Sequence, residues 1–375
     1  MSTLGKHTKS KSLLSFKMFF KSLSLGVVCL SFLLQKVSAQ YINHHQQVFY
    51  FEQQDRKVWN TKALTPVTQR NVKKYKWTFA STINAEGNEN TNILLTKLRE
   101  NLPVANAFDW EWSKEYGGQD ISIDVMDVVH EARDGSYILC GRVQFFEKRR
   151  FEAFLFRVDS IGFPVLAKTY REFSVFNSVT PAHNGRGYIA VGQTQFSENP
   201  DILGRDAAYV SVKKSNLNIK CAKFFQGTFR QTDSNGIDDG FNKVIKYAIK
   251  KPQKRKLYAV VGETRRNINF RCRQNSDVLV LLADDKCNVE WVKQYGSHSD
   301  VSDTEINERG LSLAQFDKKT GGLVITGNTE AIDSCVQKRF DDVLAFVVKP
   351  DGTLDWMGHY DLDPLLDVSL FVRSR

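Results

Sequence analysis

Leu323-Val-Ile-Thr-Gly327-Asn-Thr329, Asp342-Val-Leu-Ala-Phe-Val-Val348 and Asp355-Trp-Met-Gly-His-Tyr360 follow one another near the end of the chain, and their reading decides the fold. Each is a short apolar or aromatic run bounded by Gly, Asp or Asn, too brief and too closely bounded for a helix. The first string returns upstream as Val261-Gly262-Glu263-Thr264, Val191-Gly192-Gln193-Thr194 and Phe79-Ala80-Ser81-Thr82, with Cys140-Gly141-Arg142-Val143 a weaker copy. After each comes a loop, then a polar residue (Asn92, Glu152, Asp206, Asp277 or Asp342) opening a second apolar run. The aromatic segment returns as Trp112 with Tyr116 and Trp291 with Tyr295; Leu166 with Tyr170 and Cys221 with Phe225 take the same places in the other copies. Another strand precedes the glycine string: Val128–Ala132, Val179–Ala182, Val244–Ala248 and Leu311–Ala314. Asp134-Gly135, Asn184-Gly185 and Gly321-Gly322 connect it onward as hairpin turns require.

Four short antiparallel strands per repeat describe the blade of a β-propeller. One four-stranded sheet cannot bury both apolar faces, but blades packed on two neighbours share a continuous core. The recurrent glycine fits a place where neighbouring backbone comes too close for a side chain. The repeat resembles the loosely defined secreted propeller repeats that read DGGY-x-V-x-G-x-T, D-x-L-V-K-L-D-x-x-G and W-x-K-x-Y-G. The stretches that carry the resemblance are Asp134–Gly141, Asp342–Gly352 and Glu290–Gly296, within roughly residues 74–375. It implies architecture and leaves activity open, since such repeats carry no catalytic signature and fold does not imply function.

The glycine position recurs at 80, 141, 192, 262 and 327, so residues 74–375 hold about five repeats. The expected fold is therefore all-β, a five-bladed propeller of four-stranded antiparallel blades. The first copy, starting near Tyr75, lacks an inner strand, and Leu366–Val372 resembles one. This predicts a 1+3 closure in which the C-terminal strand completes the first blade and leaves no open edge at the seam. A larger ring, with strands from residues 46–60 such as Gln47-Val-Phe-Tyr-Phe-Glu52, is the rival.

The N-terminus reads as an address. Leu23–Leu34 is an apolar run far short of a membrane span, preceded by lysines and followed by Val37-Ser38-Ala39. The expected organisation is a signal peptide over 1–39 cleaved after Ala39, an extension over 40–73 and the propeller over 74–375. Export implies a secreted or extracytoplasmic, disulfide-permissive setting for Cys140, Cys221, Cys272, Cys287 and Cys335. Five cysteines cannot all pair within one chain, and their spacing fits no zinc motif. The chain's net charge is +10, from 52 Lys and Arg against 42 Asp and Glu. Six of the lysines (Lys6, Lys9, Lys11, Lys17, Lys21, Lys36) lie in the signal segment, which contains no acidic residue. The mature chain is thus near neutral, which argues against a nucleic-acid partner. Outside the signal no apolar run approaches membrane-span length, so no stable membrane insertion is expected.

Loops between the second and third strands of a blade share a face with the inter-blade links. On that face the intra-blade loops are basic: Lys148, Arg149 and Arg150, then Arg265, Arg266, Arg271 and Arg273, then Lys338 and Arg339. Phe145, Phe146, Phe151 and Phe270 lie beside these cations, a composition suited to stacking on a glycan or anionic ligand. Charge-balanced solvated loops are the plainer reading. An aligned column at the innermost strand, Asp127, Asn177, Asn242, Arg309 and Asp367, is expected to ring the channel mouth. Such residues either tie adjacent blades by hydrogen bonds or hold a cation or small polar ligand. Asp233–Gly240 has the composition of a calcium loop but lacks the alternating ligands and terminal Glu of an EF-hand, so an Asx-turn loop competes with calcium as its explanation. Lys250–Lys256 is the densest basic run and belongs to the opposite face.

The chain contains no HExxH, GxSxG, P-loop or GxGxxG. The reading is an exported binding or structural module that recognises a protein or glycan surface. The alternative is a carbohydrate-active hydrolase with paired funnel carboxylates, for which Asp127 and Asp367 are the candidates.

Overall fold

The computed structural model describes residues 58–68, 75–84, 90–101, 107–148, 150–195, 205–225, 239–249, 255–267, 274–296, 304–316, 320–333 and 338–361. These form five successive four-stranded units. The first comprises β1 (Val58–Thr68), β2 (Tyr75–Asn84), β3 (Thr91–Asn101) and β4 (Ala107–Tyr116). The second comprises β5 (Ile121–His130), β6 (Tyr137–Phe145), β7 (Arg150–Val158) and β8 (Pro164–Tyr170). The third comprises β9 (Phe173–Pro181), β10 (Gly187–Thr194), β11 (Ala207–Lys213) and β12 (Ile219–Phe225). The fourth comprises β13 (Gly240–Ile249), β14 (Arg255–Asn267), β15 (Gln274–Ala283) and β16 (Val289–Tyr295). The fifth comprises β17 (Thr304–Gln315), β18 (Leu323–Asp333), β19 (Lys338–Val348) and β20 (Leu354–Asp361). Within each unit every strand pairs antiparallel with the next, and one parallel bridge, Ser276 to Asn307, joins the fourth to the fifth. Among the described residues, no helix is long and apolar enough to cross a membrane.

The second strands show why the sequence needs this stack. Their side chains alternate between faces, and both faces are apolar. Tyr137 and Leu139 of β6 pack with Ala80, Ile93 and Leu95 of the first sheet, while Ile138 and Cys140 pack with Phe173, Phe176 and Val179 of the third. On β10, Tyr188 and Ala190 face the second sheet; Ile189 and Val191 meet Tyr258 and Val260 of the fourth. Ala259 and Val261 of β14 continue the series against Ile325 and Phe346 of the fifth. Each buried Leu, Ile or Phe contributes about 1.5–3 kcal/mol, so the core is a succession of inter-sheet layers.

The recurrent glycines mark a bulge. Each first strand carries one extra residue opposite its glycine: Met126, Asn177, Asn242 and Leu311 in sheets two to five. There the first strand's backbone turns a carbonyl toward the second strand. A Cβ added to Gly141 would lie 2.0 Å from the Asp124 oxygen, and one on Gly192, Gly262 or Gly327 would lie 2.0, 1.9 or 1.8 Å from the corresponding oxygen. No side chain fits.

Two expectations are corrected. The first sheet does not lack its inner strand, because β1 pairs with β2 from Val58↔Ile83 to Thr68↔Tyr75. With β3 on its other side, β2 has no free edge for a C-terminal strand, so the 1+3 closure by Leu366–Val372 does not stand. The first described strand starts at Val58, and residues 1–57 and 362–375 lie outside the described residues.

Candidate functional site

The first strands of neighbouring sheets lie side by side, and the bulge sets which of their side chains meet. One residue beyond it, Asp127, Ser178 and Lys243 occupy the same row on β5, β9 and β13, paired respectively with Cys140, Val191 and Val261. They converge. The Ser178 hydroxyl donates to Asp127 Oδ2 at 2.6 Å and Lys243 Nζ approaches the same oxygen at 2.8 Å. The backbone NH of Val179 adds a bond to Oδ2 at 3.3 Å, and that of Val128 donates to Oδ1 at 3.1 Å. Asp127 and Ser178 are buried, and Lys243 is 22 % exposed. The Val244 amide in turn donates to Ser178 Oγ at 3.3 Å. Beside this group, burial pushes the Cys140 thiol well above its ordinary pKa, and the Asp127 charge adds to the effect.

The bulge residues Asn177 and Asn242 share a second task. Asn177 Nδ2 donates to Phe241 O at 2.9 Å and Asn242 Nδ2 to Gly310 O at 3.0 Å, each reaching the first strand of the next sheet. Arg309 Nε meets Glu263 Oε2 at 3.0 Å. The expected column Asp127, Asn177, Asn242, Arg309 is thus three rows: against the bulge common to these strands, Asp127 stands one residue beyond, Asn177 and Asn242 on it, and Arg309 two before. These residues sit within their strands rather than at the start, and the described members tie sheets together. Asp367 lies outside the described residues.

On the loop face, Arg150 is spent on Glu152 at 3.3 Å, a buried carboxylate that Arg171 also approaches at 3.6 Å. Arg142 pairs with Asp124 at 2.7 Å and its guanidinium lies 4.5 Å from the Phe151 ring centroid. Phe146 is exposed in the 3-10 turn Phe146–Lys148. Arg265 and Arg266 fall at the end of β14 opposite Ser276 and Asn275. Arg149, Phe270, Arg271, Arg273 and the Asp233–Asp238 stretch lie outside the described residues. Among the described residues, no three His, Cys, Asp or Glu side chains gather as ligands for a metal ion.

Sequence reasoning missed the ties on the opposite, hairpin face. Glu131, buried in the β5–β6 turn, meets Lys214 at 2.7 Å and accepts from the Tyr188 hydroxyl at 2.9 Å. Asp134 receives Arg157 at 2.7 Å and Lys214 at 2.9 Å. Burial opposes its charge, but the Ser136 and Lys214 hydrogen bonds outweigh that and hold the carboxyl well below the usual range. The aromatic fourth strands give a regular series. Tyr116, Tyr170 and Tyr295 donate their hydroxyls to Gly162 O, Leu217 O and Gly352 O at 2.6, 2.5 and 2.6 Å, each in the last hairpin turn of the next sheet. Burial pushes all three phenols up. The Trp–Tyr spacing was the available signal.

No family model matches the chain, and no curated protein does. Solved structures that resemble it include a GH43 β-1,3-galactosidase with galactodeoxynojirimycin, at TM-score 0.36 and 10% identity over 80% of this chain and 96% of that one. A mannose phosphorylase from Leishmania mexicana gives TM-score 0.33 and 8% identity over 83% and 96%. The β-propeller domain of the Trilobed protease from Pyrococcus furiosus gives 0.26 and 11% over 81% and 95%.

Proposed function

We propose that the chain is an exported, non-enzymatic binding or structural module. Its five sheets form the blades of a propeller that closes by packing the fifth sheet on the first. The observation that carries this reading is the state of Asp127. Ser178, Lys243 and two backbone amides surround its carboxylate, an arrangement that suits a fixed inter-sheet tie. A general acid or base needs an open lone pair facing substrate. Recognition of a glycan or protein surface then falls to the loop face, where Phe146 is exposed and Arg142 stacks on Phe151. Tyr360 holds the register place of Tyr116, Tyr170 and Tyr295 on the last described strand, opposite Val343, and is exposed, so its hydroxyl is the group on which closure can be tested. The disulfide Cys221–Cys287 supports an oxidising, extracytoplasmic setting.

The test is a glycan array on the mature chain, with a hydrolysis assay on every hit. Binding without turnover is expected, with Phe146→Ala weakening it. Turnover abolished in both Asp127→Asn and Asp367→Asn, with both variants folded, would establish the hydrolase instead.

A further inference from the structure

The seam between the third and fourth sheets breaks the tyrosine series. Where Tyr116, Tyr170 and Tyr295 stand opposite Ile93, Ala153 and Val278, the third sheet has Phe225 opposite Ala207, with no hydroxyl to donate. Four residues earlier, Trp291 donates its indole NH to Pro350 O at 2.8 Å, but the third sheet has Cys221 in that place. The receiving turn departs as well. Gly162, Leu217 and Gly352, whose carbonyls accept the tyrosines, have φ of 83°, 55° and 79°. The matching residue of the fourth sheet is Cys287, at φ 64°. Cys221 and Cys287 are joined.

Two replacements set this seam apart: the tyrosine place loses its hydroxyl, and the turn's left-handed position gains a thiol that meets a second thiol in the tryptophan place. We infer that the Cys221–Cys287 disulfide takes over the work of the tyrosine hydroxyl, locking β12 to the last turn of the fourth sheet. This makes the seam dependent on the redox state of its surroundings. Tyr209 and Ser211 of β11 still reach Asp284 O and Asp285 O at 2.8 and 2.9 Å, so loss of the bond frees the outer strand and leaves the sheets stacked. Cys221 is partly exposed, which admits a reductant, whereas the free Cys140 is buried in the layer between the second and third sheets. A dithiol such as dithiothreitol delivers two electrons and two protons to the S–S bond, giving the Cys221 and Cys287 thiols, and closes to its own cyclic disulfide.

The test restores the missing hydroxyl. Cys221→Ala with Cys287→Gly should lower the Tm of the mature chain by about 4–8 °C. Adding Phe225→Tyr to that pair should return about 1–3 °C of the loss, the worth of one hydroxyl hydrogen bond. No return, or a Cys221→Ala/Cys287→Gly melting point within about 1 °C of the parent, would overturn the inference. If that pair does not fold, oxidised and reduced forms of the parent and of Phe225→Tyr are compared by amide hydrogen exchange. Reduction should speed exchange in Ile219–Phe225 more in the parent than in Phe225→Tyr; equal acceleration overturns the inference.

Discussion

Replacing Asp127 by Asn tests whether the row it forms with Ser178 and Lys243 is architecture or chemistry. The substitution keeps the shape and the acceptor for Val128 NH or Ser178 Oγ, but removes the charge opposite Lys243, 2.8 Å away. Breaking a buried ion pair by neutralising one partner costs about 3–5 kcal/mol. Lys243 keeps 22 % of its side chain in solvent, so its ammonium recovers part of its hydration. The expected cost is about 2–3 kcal/mol, which a urea slope of ~3 kcal/mol per molar converts to a midpoint lowered by close to 1 M. Unfolding followed by tryptophan fluorescence and far-ultraviolet circular dichroism measures it. Lys243→Met alone should cost a similar amount. In the double variant the two losses should not add, because the uncompensated charge is gone, and a coupling energy above ~1 kcal/mol is expected. An unchanged midpoint in Asp127→Asn, or strictly additive losses, would refute the assignment of Asp127 as a tie.

Gly262→Ala places a methyl 1.9 Å from Gly240 O and 2.7 Å from Phe241 Cα, both backbone, so the bulge must shift. A loss of at least ~3 kcal/mol in chemical denaturation is expected, since neither atom can rotate away. Tyr295→Phe should cost about 1 kcal/mol by removing the donor to Gly352 O, while the same change at exposed Tyr116-equivalent Tyr360 reports on ring closure: a cost of that size indicates a partner, and none argues against it. Burial lowers the His183 pKa and outweighs the opposing hydrogen bond that its ring donates to Leu257 O at 2.8 Å, so the folded state favours the neutral imidazole. Its contribution is present above the unfolded value of about 6.5 and is lost as pH falls below it; His183→Gln should flatten the melting-temperature profile between about pH 7 and 5.

The strands were legible because their chemistry repeats. Gly-x-Thr strings, polar residues opening apolar runs and Trp–Tyr segments recur with period two inside and about sixty residues between copies. What spacing could not reveal was a backbone event. Where the bulge falls is not written in composition: it takes Met126 on one strand and Asn177 on the next, so Asp127, which resembles Asn177, shares its row with Ser178 and Lys243 instead. Val58–Thr68 carries none of the recurrent strings, and Asn60, Lys62 and Pro66 interrupt its alternation; a proline belongs on a strand with one free side, which is the place β1 holds beside β2. The Cys221–Cys287 pairing needs the knowledge that turns of neighbouring sheets face outer strands, a fact of three dimensions. Cys221 in a tryptophan's place was the trace left in the sequence.

The two rims of the stack do different work, and this bears on where a partner can be recognised. In an up-and-down sheet, the first and third turns lie at one end, and the middle loop and inter-sheet link at the other. The turn end is bound across its seams by Glu131–Lys214, by three tyrosine hydroxyls, by Trp291 and by the disulfide. Every added tie costs freedom to vary, because a changed turn must still present its carbonyl or thiol to the neighbour. The inter-sheet links vary in length, from two residues between β8 and β9 to fourteen between β12 and β13. A surface free to change in length while its supports stay fixed is the arrangement binding loops use. On the binding-module reading proposed above, ligand selection falls to this face, because the row of Asp127, Ser178 and Lys243 is committed to holding sheets together.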